Sequence, residues 1–242
     1  MYVACGNFFY LFQTLVRLNP IAHIHTDFKT KFGVPRQSGI SPSSEGRIVF
    51  TPEYRNAEAL RGLEGFSYIW LLWDFSLAHR KEGEWSPTVR PPRLGGNQRM
   101  GVWATRSPFR PNAIGLSSVR LERIEYGTSE GPVIYVAGAD LVDGTPIFDI
   151  KPYLPFTDSH PDAKGGFAEE MNNEIEPLRV EIPDNVVSRF TQRQLESLRD
   201  ILAADPRPHY QQDEERVYGM EFGDSEIHFK VKDGVLTVLP LD

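Results

Sequence analysis

The residues of this chain best placed to do chemistry are arginines set beside prolines. Between residues 86 and 121 stand six arginines, Arg90, Arg93, Arg99, Arg106, Arg110 and Arg120, and no aspartate or glutamate. Arg-Pro occurs twice there, at Arg90-Pro91 and Arg110-Pro111. A guanidinium offers a planar fork of donors that matches carboxylate and phosphate oxygens. A neighbouring proline narrows the free loop, so less entropy is lost when the arginine head meets a ligand. Long irregular loops inside a compact domain are usually functional or disordered. Trp85 and Trp103 at the margins of this one argue against disorder.

Two shorter segments stand out beside it. Val34-Pro35-Arg36-Gln37 follows Lys29 and Lys31 and places a guanidinium and an amide behind a fixed backbone. Residues 141–146, L-V-D-G-T-P, set Asp143-Gly144 in a tight turn with a carboxylate, a hydroxyl and backbone groups on show. Taken alone, Asp143-Gly144 reads more simply as a hairpin turn.

The bulk charge of −7, from 26 basic and 33 acidic residues, argues against nucleic-acid binding when taken globally. Its distribution is uneven. Residues 205–226 hold seven acids against Arg207 and Arg216. Either acidic loops fold over the arginine stretch and cancel it, or the stretch is left to meet phosphates. The single cysteine, Cys5, excludes an intrachain disulfide and fits a reducing compartment. The first 18 residues lack a basic lead and a small-residue cleavage site, and no apolar run reaches a bilayer-spanning length. The expectation is a cytoplasmic protein that binds no membrane. G-x-G-x-x-G after a strand, G-x-x-x-x-G-K-[ST] and G-x-S-x-G are all missing, so nothing supports a dinucleotide fold, a P-loop or a serine-nucleophile elbow. His23 and His25 share one strand face, but with no third ligand in view they read as ordinary polar residues, and no metal is expected.

These groups need a scaffold, and the patterning predicts a mainly β one. Strands are expected over residues 20–26, 47–50, 101–105, 114–126, 133–139 and 146–150. Residues 66–75, F-S-Y-I-W-L-L-W-D-F, are apolar on both faces and predict a buried central strand. Thr51 with Pro52 predicts a short helix to about residue 61. Many strands with one short helix suggest a closed or nearly closed β-barrel, since closure removes exposed edges. A linker or long loop follows over 153–177. Thr191 and Gln194 then form a capping-box pattern, with Phe190 placed to staple onto Leu195. Leu195, Leu198, Ile201 and Leu202 give a helical stripe. Three strands follow over 216–222, 227–231 and 235–239, with turns at Gly223-Asp224 and Asp233-Gly234. The domain expectation is an extension over 1–18, a β-barrel N-terminal domain over 19–158, a linker over 159–178 and a small α+β C-terminal domain over 179–242, packed on the barrel.

Several long words in this order resemble the TsaA/TrmO family of tRNA methyltransferases. They are K-F-G-V-P-R-Q at 31–37, R-G-L-E-G-F-S at 61–67, W-S-P-T-V-R-P-P-R-L-G-G-N at 85–97, A-T-R-S-P-F-R-P-N-A-I-G at 104–115 and D-L-V-D-G-T-P-I-F-D-I-K-P-Y at 140–153. D-P-R-P-H-Y at 205–210 and V-Y-G at 217–219 extend the likeness, and residues 1 to about 17 depart from it. The resemblance implies a barrel, a small C-terminal domain and a homodimer. It also implies S-adenosylmethionine as methyl donor and, as substrate, N6-threonylcarbamoyladenosine next to the anticodon of threonine tRNA. The family's cofactor site carries over to Pro35, Arg36, Gln37, Arg106, Leu116, Asp143, Gly144, Thr145 and Pro146, and to Ser76 and Leu77 after the buried strand.

Physical roles can be set beside those positions. Arg36 or Arg106 suits the donor's carboxylate. Asp143 suits its ammonium or ribose hydroxyls, and Gly144 lets backbone approach closely. Arg90, Arg93, Arg110 and Arg207 suit tRNA phosphates. Tyr153, Phe156 or Tyr210 suits base stacking in the anticodon loop. Asp143, Asp205, Tyr210 or solvent takes the proton lost from N6. Two other readings stand beside the tRNA enzyme: a methyltransferase for another RNA or a small molecule, and a barrel that binds S-adenosylmethionine or RNA without catalysis.

Overall fold

The computed structural model describes residues 17–78, 85–91, 98–169, 176–207 and 213–241. Six strands close an antiparallel barrel in the order β1-β2-β7-β6-β3-β8. They are β1 Ala22–Thr26, β2 Glu45–Phe50, β3 Tyr68–Asp74, β6 Ile114–Thr128, β7 Gly131–Ala137 and β8 Thr145–Pro152. Alternation puts Ala22, Ile24, Ile48, Ile69, Leu71, Val119, Ile134 and Ile147 inside, all with almost no exposure. β6 is long enough to serve two neighbours. Its first half pairs with β3 and its second half with β7, with register shifts between Leu121 and Arg123 and between Glu125 and Thr128.

A second sheet follows, ordered β10-β11-β12-β9. Its strands are β9 Arg179–Glu181, β10 Tyr218–Phe222, β11 Ser225–Lys232 and β12 Val235–Val238. Helix α3, Gln192–Ala203, carries the expected capping box between Thr191 and Gln194 and buries Leu195, Leu198, Ile201 and Leu202. The second core gathers Leu198, Ile201, Leu202, Phe222, Ile227, Phe229 and Leu236. Phe28, from the segment after β1, is buried in it too.

Several expectations are corrected. The helix over 52–61 is two 3-10 turns, Pro52–Tyr54 and Ala57–Leu60, followed by a third at Leu63–Gly65. Asn56 interrupts it by accepting the Glu58 N–H and capping a new turn. Thr51 caps nothing; its hydroxyl donates to the Ile21 carbonyl. The strand over 101–105 shrinks to β5, Met100–Gly101, paired with β4, Thr88–Val89, and Val102–Ala104 is a 3-10 turn. The Val102 N–H goes to the Pro87 carbonyl at 2.9 Å, and the β4–β5 pair stands as a separate two-stranded sheet outside the barrel. β3 is buried on one face only: Ile69, Leu71 and Trp73 point inward, while Tyr68, Trp70 and Leu72 lie on a partly covered outer face. Residues 153–177 include a short helix α1, Pro155–Asp158, held to β3 by the Trp70 indole N–H donating to Asp158 at 2.8 Å. The C-terminal sheet has a fourth strand, β9, added in parallel to β12. α2 is the single turn Asp184–Val187.

Candidate functional site at one end of the barrel

Antiparallel pairing fixes which loops share an end. Thr26 at the end of β1, Ala137 at the end of β7, Asp74 at the end of β3 and the starts of β6 and β8 all lie at the same mouth. Three connections therefore meet there: residues 27–44, residues 75–113 and residues 138–144. These carry the distant segments that the sequence singled out.

Residues 27–44 lie between the barrel and the C-terminal sheet. Their apolar side chains face the sheet. Phe28 packs against Phe222 at 6.0 Å, and Phe32 lies parallel to Phe229 at 6.4 Å. The Gly223 N–H donates to the Asp27 carbonyl at 2.8 Å. Gly33 has φ +92, and a Cβ there would meet the Met220 methyl at 2.6 Å, so the position needs glycine. Its polar side chains divide: Asp27, Ser41 and Ser43 bond to side chains of α3, while Lys29, Lys31 and Gln37 reach the other two connections at the mouth. Arg36 donates to the backbone carbonyls of Asp205 at 3.2 Å and Arg207 at 2.9 Å. Gln37 Oε1 accepts from Arg106 Nη1 at 2.5 Å, which joins the first segment to the second. Lys31 donates to the Leu77 carbonyl in the 3-10 turn Ser76–Ala78. The Leu77 side chain stays exposed.

Asp143 occupies the tip of the third segment. Its backbone N–H goes to the Phe28 carbonyl at 2.7 Å, and that of Gly144 goes to Ile24 at 2.8 Å. Gly144 has φ +77, the left-handed conformation that the turn demands. The Thr145 N–H and hydroxyl both turn back to the Val142 carbonyl. The backbone donors expected to approach a ligand are thus spent on the scaffold, and the Asp143 side chain is what remains. Oδ1 accepts the Thr26 N–H at 3.1 Å and lies 3.2 Å from His25 Nδ1, while Oδ2 accepts from Lys29 at 3.0 Å. Partial burial raises the Asp143 pKa, but the bond from Lys29, the Thr26 N–H and the charges of Lys29 and His25 outweigh it, so it lies below its ordinary value.

Asp140, which the residue-level reading passed over, underpins the same loop. Its carboxylate accepts from Ser117 at 2.6 Å, and Ser117 accepts from the Trp73 indole at 3.0 Å. Burial raises the Asp140 carboxyl pKa despite the Ser117 bond and the Arg106 charge. The family word at 140–153 begins on it, but its role could not be read there, because that role depends on β3 and β6 meeting.

Asp205 has φ +49 and sits just past α3. Both its oxygens are engaged by Arg207, at 2.9 Å from Nε and from Nη2. The Arg207 side chain is only 13% exposed, which ties it to Asp205 rather than to a surface ligand. Beside them a cleft of about 120 Å³ is lined by Lys31, Pro35, Arg36, Ile40, Ile201 and Asp205. Leu116 lies apart from this cleft, on the outer face of β6 opposite Leu72, half-exposed. Arg90 is exposed. Arg110 is partly buried and donates to the Thr105 carbonyl at 3.1 Å. Tyr153 packs on Tyr68 and Trp70, and Phe156 is almost fully exposed. Arg93 and Tyr210 lie outside the described residues. Among the described residues no three His, Cys, Asp or Glu side chains group to hold a metal, and no helix is long and apolar enough to cross a membrane.

A closed barrel with arginine, amide and carboxylate groups from three loops at one mouth is a fold with a built polar site, and comparison with known proteins gives the site its class. The tRNA-methyltransferase O N-terminal domain matches residues 23–159, and the TrmO C-terminal domain matches residues 175–242. The chain belongs to this family. It is 42% identical over 229 residues to the tRNA (adenine(37)-N6)-methyltransferase of Escherichia coli (strain K12), covering 92% of this chain and 96% of that one. It is 41% identical over 218 residues to a Pseudomonas aeruginosa relative whose name places it among S-adenosylmethionine-dependent methyltransferases, covering 88% of this chain and 91% of that one. A crystal structure of TrmO from Pseudomonas aeruginosa superposes with a TM-score of 0.73 at 32% identity, covering 94% of this chain and 98% of that one.

Proposed function

We propose that the protein transfers a methyl group from S-adenosylmethionine to N6 of the adenosine next to the anticodon of a tRNA. The nucleoside is N6-threonylcarbamoyladenosine and the tRNA is that for threonine. The observation that carries the reading is the Arg106–Gln37 contact, because it unites two motif segments that the chain keeps far apart. The family membership supplies the reaction class.

The residues fit the donor's chemistry. Arg36 and Arg106 supply planar donors for its carboxylate. Asp143, held ionised, supplies acceptors for its ammonium or ribose hydroxyls. Pro35, on the wall of the cleft, supplies apolar surface for its adenine, and Leu116 stands apart from it on the outer face of β6. Ser76 and Leu77 close the site from the end of β3. The bound donor supplies a methyl group already activated on a cationic sulfur, so the protein's work is alignment. The proton of N6 leaves to solvent, since Asp143 and Asp205 are already engaged by Lys29 and Arg207. Arg90, Arg93 and Arg110 hold tRNA phosphates, and Arg207 acts through Asp205 by fixing the turn that Arg36 grips.

The barrel, residues 19–158, serves as the catalytic domain, and residues 179–242 form a C-terminal domain that supports it. The protein works as a homodimer in the cytoplasm, where its tRNA is. The outer face of β3 and β6, with Tyr68, Ile114 and Leu116 exposed, gives the second copy an apolar surface. Incubation with methyl-labelled S-adenosylmethionine and threonine tRNA tests the reading. The label should appear on an N6-modified adenosine, and a protein that binds the donor yet labels no tRNA would contradict it.

A further inference from the structure

The molecule uses its tryptophans in two ways. Trp70 and Trp73 each satisfy the indole N–H, with Asp158 and Ser117. Trp85 and Trp103 do neither: they are 47% and 66% exposed, and among the described residues their N–H groups have no partner. They nevertheless face each other, with ring centroids 5.9 Å apart and planes inclined by 27°. The β4–β5 pairing and the Val102–Pro87 hydrogen bond bring them together from opposite arms of the excursion over 75–113. The Arg110 guanidinium lies 5.6 Å from the Trp103 ring, aimed there by its bond to the Thr105 carbonyl. A structure that builds an aromatic pair and then leaves it in water is holding a surface for a partner.

The charges around it say which partner. Arg47, Arg123, Arg193 and Arg207 each pair with a carboxylate. Among the described residues, Arg90, Arg99, Arg106 and Arg110 pair with none; Arg99, Arg106 and Arg110 bond only to neutral oxygens. Arg120, at the far end of the stretch, pairs with Glu122, and the Arg106 charge acts on Asp140, but among the described residues no carboxylate comes within ion-pair reach of the other four, so the field beside the indoles stays positive. Flat indole faces amid uncancelled guanidinium groups match a chain of bases and phosphates.

We propose that Trp85 and Trp103 form a stacking platform for an unpaired RNA base beside the methylated one. It rests on the tRNA reading above and adds a base-binding site to it. Binding of threonine tRNA, measured over a range of salt concentrations, tests it. Trp103→Ala should weaken binding roughly 5- to 150-fold, the usual range for one base stacked on one aromatic. The slope of log affinity against log salt should not change, because no phosphate contact is lost. Arg90→Ala should instead lower that slope by about 1. Trp103→Phe should restore most of the affinity, and S-adenosylmethionine binding should match wild type in all three variants. Unchanged tRNA affinity in both Trp85→Ala and Trp103→Ala would overturn the platform and leave the methyltransferase reading intact. Loss of affinity accompanied by a fall in sedimentation to a smaller species would also overturn it, since the pair would then join two copies of the chain. A wild-type protein that binds no tRNA would overturn both.

Discussion

Two loops reach the same mouth of the barrel and are built on opposite plans. Residues 27–44 turn their apolar side chains into the C-terminal core, tie Asp27, Ser41 and Ser43 to α3, and leave Lys29, Lys31 and Gln37 at the site. In the excursion over 75–113, the described residues leave aromatic rings and arginines in solvent, and among them a two-residue strand pair and a few hydrogen bonds hold the arms together. The first loop is ordered before any ligand arrives, because tertiary packing has already met its entropy cost. The second keeps binding surface uncommitted. A small site for a small donor suits the first plan, and a broad cationic surface for RNA suits the second.

The difference can be broken from either side. Phe28→Ala, in the packed loop, should cost about 3–5 kcal/mol of stability in chemical denaturation, since it empties a site in the second core. It should also weaken S-adenosylmethionine binding. Trp103→Ala, its counterpart in the open loop, should leave stability within about 0.5 kcal/mol of wild type. Equal costs would erase the contrast.

Arg106→Ala should lose cofactor affinity by roughly 10- to 100-fold while keeping the fold, because its charged bond to Gln37 sits where the two plans meet. Calorimetry showing wild-type affinity would remove Arg106 from the site. Gly33→Ala should cost about 1–2 kcal/mol from its left-handed backbone alone. Adding Met220→Ala should recover the steric share only, a partial rescue readable in a double-mutant cycle. Full rescue would show that the backbone conformation carries no strain.

The smallest effect concerns acid. Because the Asp143 pKa is depressed in the folded state, its pairing with Lys29 stabilises the fold above the ordinary carboxylate range. That contribution is lost as pH falls through the depressed value. Wild type should therefore lose more stability than Asp143→Asn between about pH 5 and pH 2. Parallel curves would show that the ion pair contributes nothing.

The sequence made the barrel legible through apolar, strand-forming runs, which alternate in β1 and the first half of β6 and are buried on both faces in much of β7 and the end of β2. It hid β9, three residues with charge at both ends, because its parallel pairing with β12 is non-local. It suggested one helix over 52–61 because composition does not reveal that Asn56 will compete with the backbone. The site divides in the same way. Arg36, Gln37, Arg106 and Asp143 lay in segments that stood out from their surroundings, but it was the family resemblance that assigned them to one site. The roles of Lys29 and Asp140 and the hold of the C-terminal core on Phe28 and Phe32 could not be read, because each depends on which segment lies across the mouth. The acid-free arginine stretch left two outcomes open, and what separated them was that Arg120 pairs with Glu122 while Arg90, Arg99, Arg106 and Arg110 have no carboxylate partner among the described residues.

Mass spectrometry of threonine tRNA from cells lacking this gene tests the central claim most directly. The N6-methylated threonylcarbamoyladenosine should disappear, return with the wild-type gene, and stay absent with Arg106→Ala. An unchanged level of that nucleoside in the deletion strain would contradict the account.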